Sequence, residues 1–269
     1  MIQSNTSMAS LERRVAVDAA RAAGRLLSEA LPRARQVSFK GTVTNLVTEM
    51  DARAEKLVVD ALHDAFPDDG ILAEEGSARS APSGRRWIID PLDGTTNYAH
   101  GVPAFAVGIG LEAAGRVVLG VVYEPIRDEL YVAERGGGAF LNDTRLAVST
   151  TPVLDASLLA TGFPYDIRTT ARNNLAQYAA FAVRTRGVRR FGSALLDFAW
   201  VAAGRLDGFW ELRLGPWDVA GGAILVEEAG GKVTNLTGGA FDIDEPRICC
   251  SNGLIHDEML AVLKETFQA

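Results

Sequence analysis

The most informative stretch of the chain is Trp87–Asn97, with the sequence WIIDPLDGTTN. Its apolar start favours a buried β-strand, and the strand ends in two carboxylates three positions apart, Asp90 and Asp93. Pro91 fixes φ and has no N–H group, so we expect the chain to turn sharply there. The turn would direct Asp90, the Leu92 carbonyl and Asp93 to one point. Oxygen atoms of this kind are the ligands that hard divalent cations such as Mg²⁺ prefer.

The residues that follow, Gly94-Thr95-Thr96, predict the start of a helix. The free N–H groups and positive dipole at a helix N-terminus favour an anion, here beside the expected cation. An Asx-type turn followed by a helix cap would account for a bare D-x-x-D-G pattern. The full eight-residue string DPLDGTTN favours the metal and anion site over that alternative.

The segments on both sides of this stretch indicate α/β layering. Two amphipathic helices are predicted upstream, at about Leu11–Leu26 and Met50–Phe66. Short β-type runs separated by turn residues then suggest an antiparallel sheet: Ile71–Glu74, Trp87–Asp90, Phe105–Glu112, Val117–Tyr123 and Leu130–Glu134. The second half is predicted to have strands at Leu158–Thr161, Val188–Phe191, Leu206–Leu212, Lys232–Asn235 and Arg247–Ser251. Its predicted helices are Thr170–Arg184, Ser193–Ala203, Val219–Ala229 and Asp257–Phe267.

Composition excludes several classes of protein. Of the 269 residues, 48% are hydrophobic and 23% are charged, which is typical of a soluble folded protein. The 27 Lys and Arg residues against 34 Asp and Glu residues give a formal charge of −7, which disfavours binding to nucleic acid. An anionic substrate would therefore need positive charge at its binding site, such as that of metal ions. We expect no membrane span and no signal peptide.

Few residues are available for nucleophilic or thiol chemistry. The three histidines are widely scattered, and the two cysteines, Cys249 and Cys250, are adjacent in an apolar run. This pattern disfavours Ser-His-Asp and Cys-His catalysis, zinc sites and a disulfide framework. It favours carboxylate-based catalysis in a reducing, cytoplasmic compartment.

Two separate motifs resemble one family. The string Asp90–Asn97 resembles the first signature of the inositol monophosphatase family, a group of metal-dependent, lithium-sensitive phosphatases. Further along, Pro216–Gly231 resembles the W-D-x-A-A-G helix of that family and its E-A-G-G exit. Taken alone, Asp218 could instead be a helix N-cap, with Gly221 and Gly222 allowing close packing. The two signatures stand in the order that the family uses.

The resemblance implies a set of metal ligands. Ile71–Ser77 (ILAEEGS) resembles the G-E-E segment of the family, with Ala73 where a glycine is usual, and it assigns Glu74 to the metal site. Without the resemblance, Glu74 would be a solvated strand end. The implied cofactor is Mg²⁺, with two or three ions per site. The implied ligands are Glu74, Asp90, the Leu92 carbonyl, Asp93 and Asp218.

The resemblance also implies catalytic residues. The segment Asn45–Asp51 is similar to the one whose aspartate supports the third metal and the hydrogen bonding of the nucleophile. Thr48 and Asp51 are also spaced like a helix-capping pair, and one residue can serve both roles. The implied catalytic residues are Glu74, Thr95 and Asp51. Lys40 matches a basic residue near the substrate entrance, with a solvated surface lysine as the alternative.

The substrate side is implied by two further segments, Arg189–Asp197 and Gly208–Glu211. Their resemblance to the leaving-alcohol pocket assigns hydroxyl recognition to Glu211, to the backbone at Ser193 and Ala194, and to Asp93. A carboxylate is a natural acceptor for a polyol O–H. Ser193 could instead be the N-cap of the following helix. The phosphate would be held by the amides of Gly94 and Thr95.

The resemblance covers most of the chain and implies one domain over 1–269, with an N-terminal half at about 8–150 and a C-terminal half at about 151–269. The only linker-like stretch is Ser77–Gly84. The implied fold is a layered αβαβα sandwich, usually a homodimer. The implied activity is hydrolysis of inositol-1-phosphate, a small phosphorylated polyol. The alternatives are histidinol phosphate, fructose-1,6-bisphosphate or 3′-phosphoadenosine 5′-phosphate as substrate, or a regulatory binding protein that retains the fold.

Overall fold

A computed structural model of the chain describes residues 10–31, 37–39 and 46–268, with the backbone alone at 37–39, 46, 47 and 268. Its helices are α1 (Leu11–Ala30), α2 (Glu49–Ala65), α3 (Thr95–Ala99), α4 (Leu175–Ala182), α5 (Ala194–Ala202), α6 (Pro216–Glu228) and α7 (His256–Gln268). Its first ten strands are β1 (Val37–Phe39), β2 (Leu46–Thr48), β3 (Gly70–Ala73), β4 (Ala78–Arg79), β5 (Arg85–Asp93), β6 (Ala106–Ala113), β7 (Arg116–Glu124), β8 (Glu129–Glu134), β9 (Gly138–Leu141) and β10 (Thr144–Arg145). A 3₁₀ turn (Leu154–Ala156) precedes β11 (Leu158–Thr161), β12 (Gly187–Arg189), β13 (Gly208–Glu211), β14 (Lys232–Thr234) and β15 (Ile248–Ser251).

The larger sheet has eight strands in the order β10-β9-β8-β7-β6-β5-β3-β4. Its neighbours are antiparallel except β3 and β5, which run parallel. The antiparallel sheet predicted for the first half is therefore present, with one parallel pair. That pair brings the C-terminal ends of β3 and β5 to the same edge of the sheet.

Strand β5 is longer than predicted. It does not end at Asp90 but continues through Pro91 to Asp93, and its pairing with β6 shifts register between Asp90 and Asp93. The predicted sharp turn at Pro91 is thus wrong, and an irregularity within the strand takes its place. A proline cannot donate to a ladder, and such irregularities re-aim side chains at the end of a strand.

Helices and sheets alternate in five layers. Helices α1 and α2 cover one face of the larger sheet, whereas α5 and α6 cover its other face. On the far side of α5 and α6 lies a five-stranded sheet, in the order β12-β11-β13-β15-β14, and α4 and α7 cover its outer face. The order of layers confirms the αβαβα sandwich.

The central helices pack closely because glycines stand at their contacts. A Cβ atom on Gly110 of β6 would lie 2.6 Å from the Cβ of Ala220, and one on Gly222 of α6 would lie 2.6 Å from the Phe198 ring. Gly110 belongs to a Gly-x-Gly pair in β6 that lacks the rest of a dinucleotide-binding loop. The absence of a side chain at Gly110 lets α6 pack closely against the sheet.

Two other predictions are wrong. The helix predicted over Thr170–Arg184 is only Leu175–Ala182, since Asn174 adopts a left-handed conformation (φ 69°) and its amide hydrogen-bonds to buried partners. The linker-like stretch Ser77–Gly84 contains strand β4, which pairs with β3. The remaining predicted elements are present, Leu158–Thr161 with the predicted bounds and the others with shifted ends. Among the described residues, no helix has the length and apolar character needed to cross a bilayer.

Candidate metal centre and substrate cleft

Asp90 lies in the irregular part of β5 and is fully buried. Its Oδ1 accepts the N–H of Leu92 at 3.0 Å. Its Oδ2 is buried and has no hydrogen-bond partner among the described residues. A buried carboxylate oxygen left without a donor is strongly unfavourable, and native proteins retain few of them. This oxygen is therefore available to a ligand that the chain itself does not supply.

Asp93 ends β5 and connects it to the start of α5. Its Oδ2 accepts the Ser193 hydroxyl and the Leu195 N–H, both at 2.6 Å. Ser193 is also the N-cap of α5, because its Oγ accepts the N–H of Leu196 at 3.3 Å. The capping alternative for Ser193 is thus confirmed, and its hydroxyl proton points to Asp93 rather than to open cleft.

Asp218 comes to the same place from the first turn of α6. The helix begins at Pro216, so Asp218 is the third helical residue and not the N-cap, and its Oδ2 accepts the N–H of Gly215 at 2.5 Å. Carboxylate oxygens of Asp90, Asp93 and Asp218 all lie within 4.8 Å of one another. Ligands of one Mg²⁺, at about 2.1 Å each, lie at most about 4.2 Å apart. The cluster therefore suits a small cation with little adjustment.

The electrostatics of the cluster favour the same conclusion. Burial, followed by the charges of Glu74, Asp93 and Asp218, raises the pKa of Asp90 well above its ordinary value. Burial and the charges of Asp93, Glu74 and Glu211 also raise the pKa of Asp218. The pKa of Asp93 rises only to about 6, because the hydrogen bonds from Ser193 and the α5 amides oppose the burial effect. A bound cation would relieve this repulsion.

Glu74 follows the parallel strand β3, and its N–H donates to the Ile89 carbonyl at 3.2 Å. Its charge is close enough to raise the pKa of Asp90, although it is not one of the three clustered carboxylates. The turn that contains Glu74 is held by Glu55 of α2. The Glu55 carboxylate accepts the N–H of Glu75 at 2.7 Å and that of Ser77 at 3.1 Å.

Asp51 performs two tasks at the start of α2. Its Oδ2 accepts the N–H and the hydroxyl of Thr48, at 2.8 and 2.6 Å, which completes a capping box. Its Oδ1 lies 3.0 Å from the hydroxyl of Thr95, and that hydroxyl is also 3.1 Å from the Leu92 carbonyl. The capping interpretation is therefore confirmed. The Oδ1 of Asp51 also contacts Thr95, the other residue that the resemblance implies for catalysis.

Gly94 joins β5 to α3 in a conformation that favours glycine, with φ 97°. A Cβ at this position would also lie 3.0 Å from the Ala104 carbonyl. The predicted helix does start at Thr95, but α3 has only five residues, so its dipole is short. Asn97 fixes α3 by donating to the carbonyls of Ala104 and Phe191, both at 2.7 Å.

A cleft of about 320 Å³ adjoins the acidic cluster, at the small end of the roughly 300–1,000 Å³ range of ligand pockets. Glu211, at the end of β13, is 8% exposed there, and a side chain at Gly162 would overlap its carboxylate. Burial raises the pKa of Glu211 to about 8, although Arg190 opposes the shift. Other polar or charged side chains that line the cleft are Glu74, Asp93, Tyr165, Arg190, Ser193, Asp197, Arg213 and Asp218.

Comparison with known proteins identifies the relatives of this arrangement. A sequence model described as the inositol monophosphatase family matches residues 9–268. The chain belongs to the inositol monophosphatase family. An inositol-1-monophosphatase of Mesorhizobium japonicum is 44% identical over 258 residues, which are 95% of this chain and 97% of the relative. The Escherichia coli K12 protein named Nus factor SuhB is 42% identical, over 93% of this chain and 95% of its own.

Solved structures of the family share the fold. The inositol monophosphatase from Anabaena (Nostoc) sp. PCC 7120 superposes with a TM-score of 0.85, at 44% identity, and covers 94% of each chain. The Thermotoga maritima IMPase gives a TM-score of 0.88 at 38% identity, over 96% of this chain and 98% of its own. Both likenesses agree with the layered sandwich described above.

The segments that resemble the inositol monophosphatase family account for most of the residues brought together, and two further residues were not predicted individually. Glu55 was not predicted, although a carboxylate one turn after Asp51 on the buried face of an amphipathic helix was a usable signal. Asp197 was not predicted as a site residue either, and it is the charged residue within the apolar helix α5. Lys40 lies outside the described residues.

Proposed function

We propose that the chain is a Mg²⁺-dependent phosphate monoester hydrolase that converts inositol-1-phosphate to inositol and phosphate. The observation that carries this proposal is the convergence of three carboxylates, the buried Asp90 and the less fully buried Asp93 and Asp218, at one side of a small polar cleft. The relatives named inositol-1-monophosphatase, at 44% identity, support the choice of substrate.

The residues that would hold two or three Mg²⁺ ions are Glu74, Asp90, the Leu92 carbonyl, Asp93 and Asp218. The chemistry supplied by bound Mg²⁺ is a lowered pKa of water and neutralisation of the charge that develops on the leaving oxygen. Asp90 keeps a buried Oδ2 with no hydrogen-bond partner among the described residues, so this oxygen can bind a cation. Metal-dependent hydrolysis needs no protein nucleophile, in keeping with the scattered histidines.

Asp51 and Thr95 would orient the attacking water. The Thr95 hydroxyl donates its single proton to the anionic Asp51, the stronger of its two acceptors, which leaves its lone pairs free to accept from water. Because Asp51 is itself held by Thr48, this hydroxyl has a fixed direction. Glu74 would accept the proton that the water gives up, acting as general base.

The leaving alcohol and the phosphate would bind on either side of the cluster. Glu211, Asp93 and the backbone at Ser193 and Ala194 would contact hydroxyls of the alcohol, while the amides of Gly94 and Thr95 would hold the phosphate. Lithium inhibition, a homodimer and a cytoplasmic location remain predictions for this chain, as does the assignment of 1–269 to one domain.

A function of another class is favoured by one specific observation. Relatives at 42% identity carry the name Nus factor SuhB. A regulatory binding protein that retains the fold is therefore the second candidate. The net charge of −7 disfavours unaided binding to nucleic acid, so a protein partner would be needed.

The test measures Mg²⁺-dependent phosphate release from four esters: inositol-1-phosphate, histidinol phosphate, fructose-1,6-bisphosphate and 3′-phosphoadenosine 5′-phosphate. Asp93→Asn serves as the blank, and Asp68→Asn, at an exposed position, is the matched control. We expect inositol-1-phosphate to be hydrolysed fastest by the wild type and the control, and not by the blank. Absence of release from every ester with saturating Mg²⁺ would contradict the proposal and favour the regulatory candidate.

A further inference from the structure

A second buried acid lies in the cleft, apart from the acidic cluster. Asp197 of α5 is 2% exposed and lines the cleft together with Glu211. Its Oδ1 is buried and has no hydrogen-bond partner among the described residues. A buried polar atom without a partner is destabilising unless something else satisfies it.

The packing of α5 gives no structural reason for an acid at this position. All nine residues of the helix are buried, and the eight residues other than Asp197 are apolar. Aspartate is also a poorer helix former than leucine or alanine. Asp197 is four residues after Ser193 and three after Ala194, so it shares their face of the helix, which is the face toward the cleft.

The surroundings of Asp197 form an acidic pocket wall. After burial, the largest influence on its pKa is the negative charge of Glu211, followed by that of Asp93, and both raise it. Arg190 is the cation that opposes them, but it is exposed at the rim, where water and salt screen its charge. Asp197 and Glu211 act from buried positions, where screening is weaker.

We infer that Asp197 is a further specificity-determining residue, which together with Glu211 accepts the hydroxyls of a neutral polyol and repels a leaving group that carries a second phosphate. This inference rests on the proposed phosphatase activity and specifies the substrate class of that site. A hydroxyl group both donates and accepts, so it can satisfy Asp197 whichever way the carboxyl is protonated. A phosphate oxygen only accepts, so it leaves carboxyl lone pairs unsatisfied, and it adds like charge wherever a carboxyl is ionised.

The test compares three substrates: inositol-1-phosphate, fructose-1,6-bisphosphate and phenyl phosphate, whose leaving group has neither further hydroxyls nor a second phosphate. The variants are Asp197→Asn, which keeps the shape and removes the ionisable group, and Asp197→Leu, which also removes hydrogen bonding. Asp68→Asn is the exposed control with the same chemical change. Urea unfolding midpoints check that each variant is folded.

We expect Asp197→Asn to lower the ratio of kcat/KM for inositol-1-phosphate to that for the bisphosphate about tenfold or more. Asp197→Leu should raise the KM for inositol-1-phosphate about tenfold, with kcat within about threefold, and phenyl phosphate turnover should stay within about twofold in both variants. A merely structural role would change all three substrates together. An unchanged ratio in folded Asp197→Asn would overturn the inference while leaving the phosphatase intact, whereas no release by the wild type from any substrate would overturn both.

Discussion

Asp69, the residue before β3, lies beside the start of β5 and accepts hydrogen bonds from Arg85 at 2.7 Å, from Ser83 at 2.8 Å and from the Trp87 indole at 3.0 Å. At the far end of the same strand, Asp90 accepts one backbone N–H and keeps an oxygen with no partner among the described residues. Burial acts to raise the pKa of both carboxyls, but the other contributions differ. At Asp69 the hydrogen bonds outweigh burial and leave the pKa below its ordinary value, whereas at Asp90 the neighbouring acids add to it.

Asp69 and Asp90 differ in the hydrogen-bond donors and cations that the described residues place around them. Around Asp69, the cation Arg85 also binds Glu12 at 2.9 Å, so the charges compensate within the fold. Around Asp90, further carboxylates take the place of a cation. One end is complete as folded and stabilises the structure. The other leaves Asp90 beside like charges without an ion-paired cation among the described residues, which is the property expected of a metal centre.

The largest expected effect is that of Asp90→Asn. Removal of a charge from the cluster should lower kcat for phosphate release by about 10³-fold or more, equivalent to about 4 kcal/mol of transition-state stabilisation. In EDTA the unfolding temperature should not decrease, because the substitution removes like-charge repulsion. Calorimetry and phosphate release check the two expectations, and a metal-free variant that unfolds well below the wild type would argue against unpaired charge at this end.

The pH dependence of stability sharpens the comparison. Asp93 has a raised pKa of about 6 in the folded protein, so its contribution to stability is present below about pH 4 and is lost as the pH rises through 6. The metal-free wild type should lose about 2 kcal/mol relative to Asp93→Asn between pH 4.5 and 7.5.

The buried His256, whose pKa is lowered to about 4, acts in the opposite sense over this range and cancels in the difference between the two proteins. Saturating Mg²⁺ should abolish the loss in the wild type. Thermal unfolding at several pH values measures the difference in stability between the wild type and Asp93→Asn. A difference that does not change with pH would show that the pKa of Asp93 is not raised in the folded protein.

Asp69→Asn should have the opposite pattern of effects. It weakens the pairing with Arg85 and should reduce the free energy of unfolding by about 2 kcal/mol, less than for a fully buried pair because Arg85 is 31% exposed. Turnover per folded molecule should match the wild type. Urea unfolding and active-site-normalised turnover test this, with Asp68→Asn as the neighbouring control. Loss of activity without loss of stability would contradict the contrast between the ends.

The smallest effect is expected for Glu55→Gln. The amide keeps one acceptor oxygen and loses the other, so one of the two bonds that hold the Glu74 turn is broken. The Mg²⁺ concentration for half-maximal activity should rise roughly threefold to tenfold, about 1 kcal/mol, with kcat at saturation within twofold. Glu29→Gln on the exposed side of α1 is the control. An unchanged Mg²⁺ dependence would mean that Glu55 only stabilises the fold.

The motifs that resemble the inositol monophosphatase signatures were sufficient to predict the residues of the acidic cluster, whereas the local pattern alone left Asp218 open as a helix N-cap. Pairings between distant segments were not predictable in this way. Arg85 meets Glu12 across 73 positions, and Glu55 reaches the Glu75 amide across 20. The helix over Thr170–Arg184 was predicted too long because the left-handed Asn174 follows from its buried tertiary partners, not from periodicity.

The central claim is that the carboxylates at the end of β5 form a divalent cation site, and calorimetric titration of Mg²⁺ into the metal-free protein tests it most directly. Titration at pH 7 in two buffers of different ionisation enthalpy also counts released protons. We expect the wild type and Asp69→Asn to bind Mg²⁺ with proton release, because the pKa values of Asp90 and Asp218 are raised. Asp90→Asn should bind at least tenfold more weakly. Equal binding by Asp90→Asn and the wild type, or no binding by either, would contradict the claim.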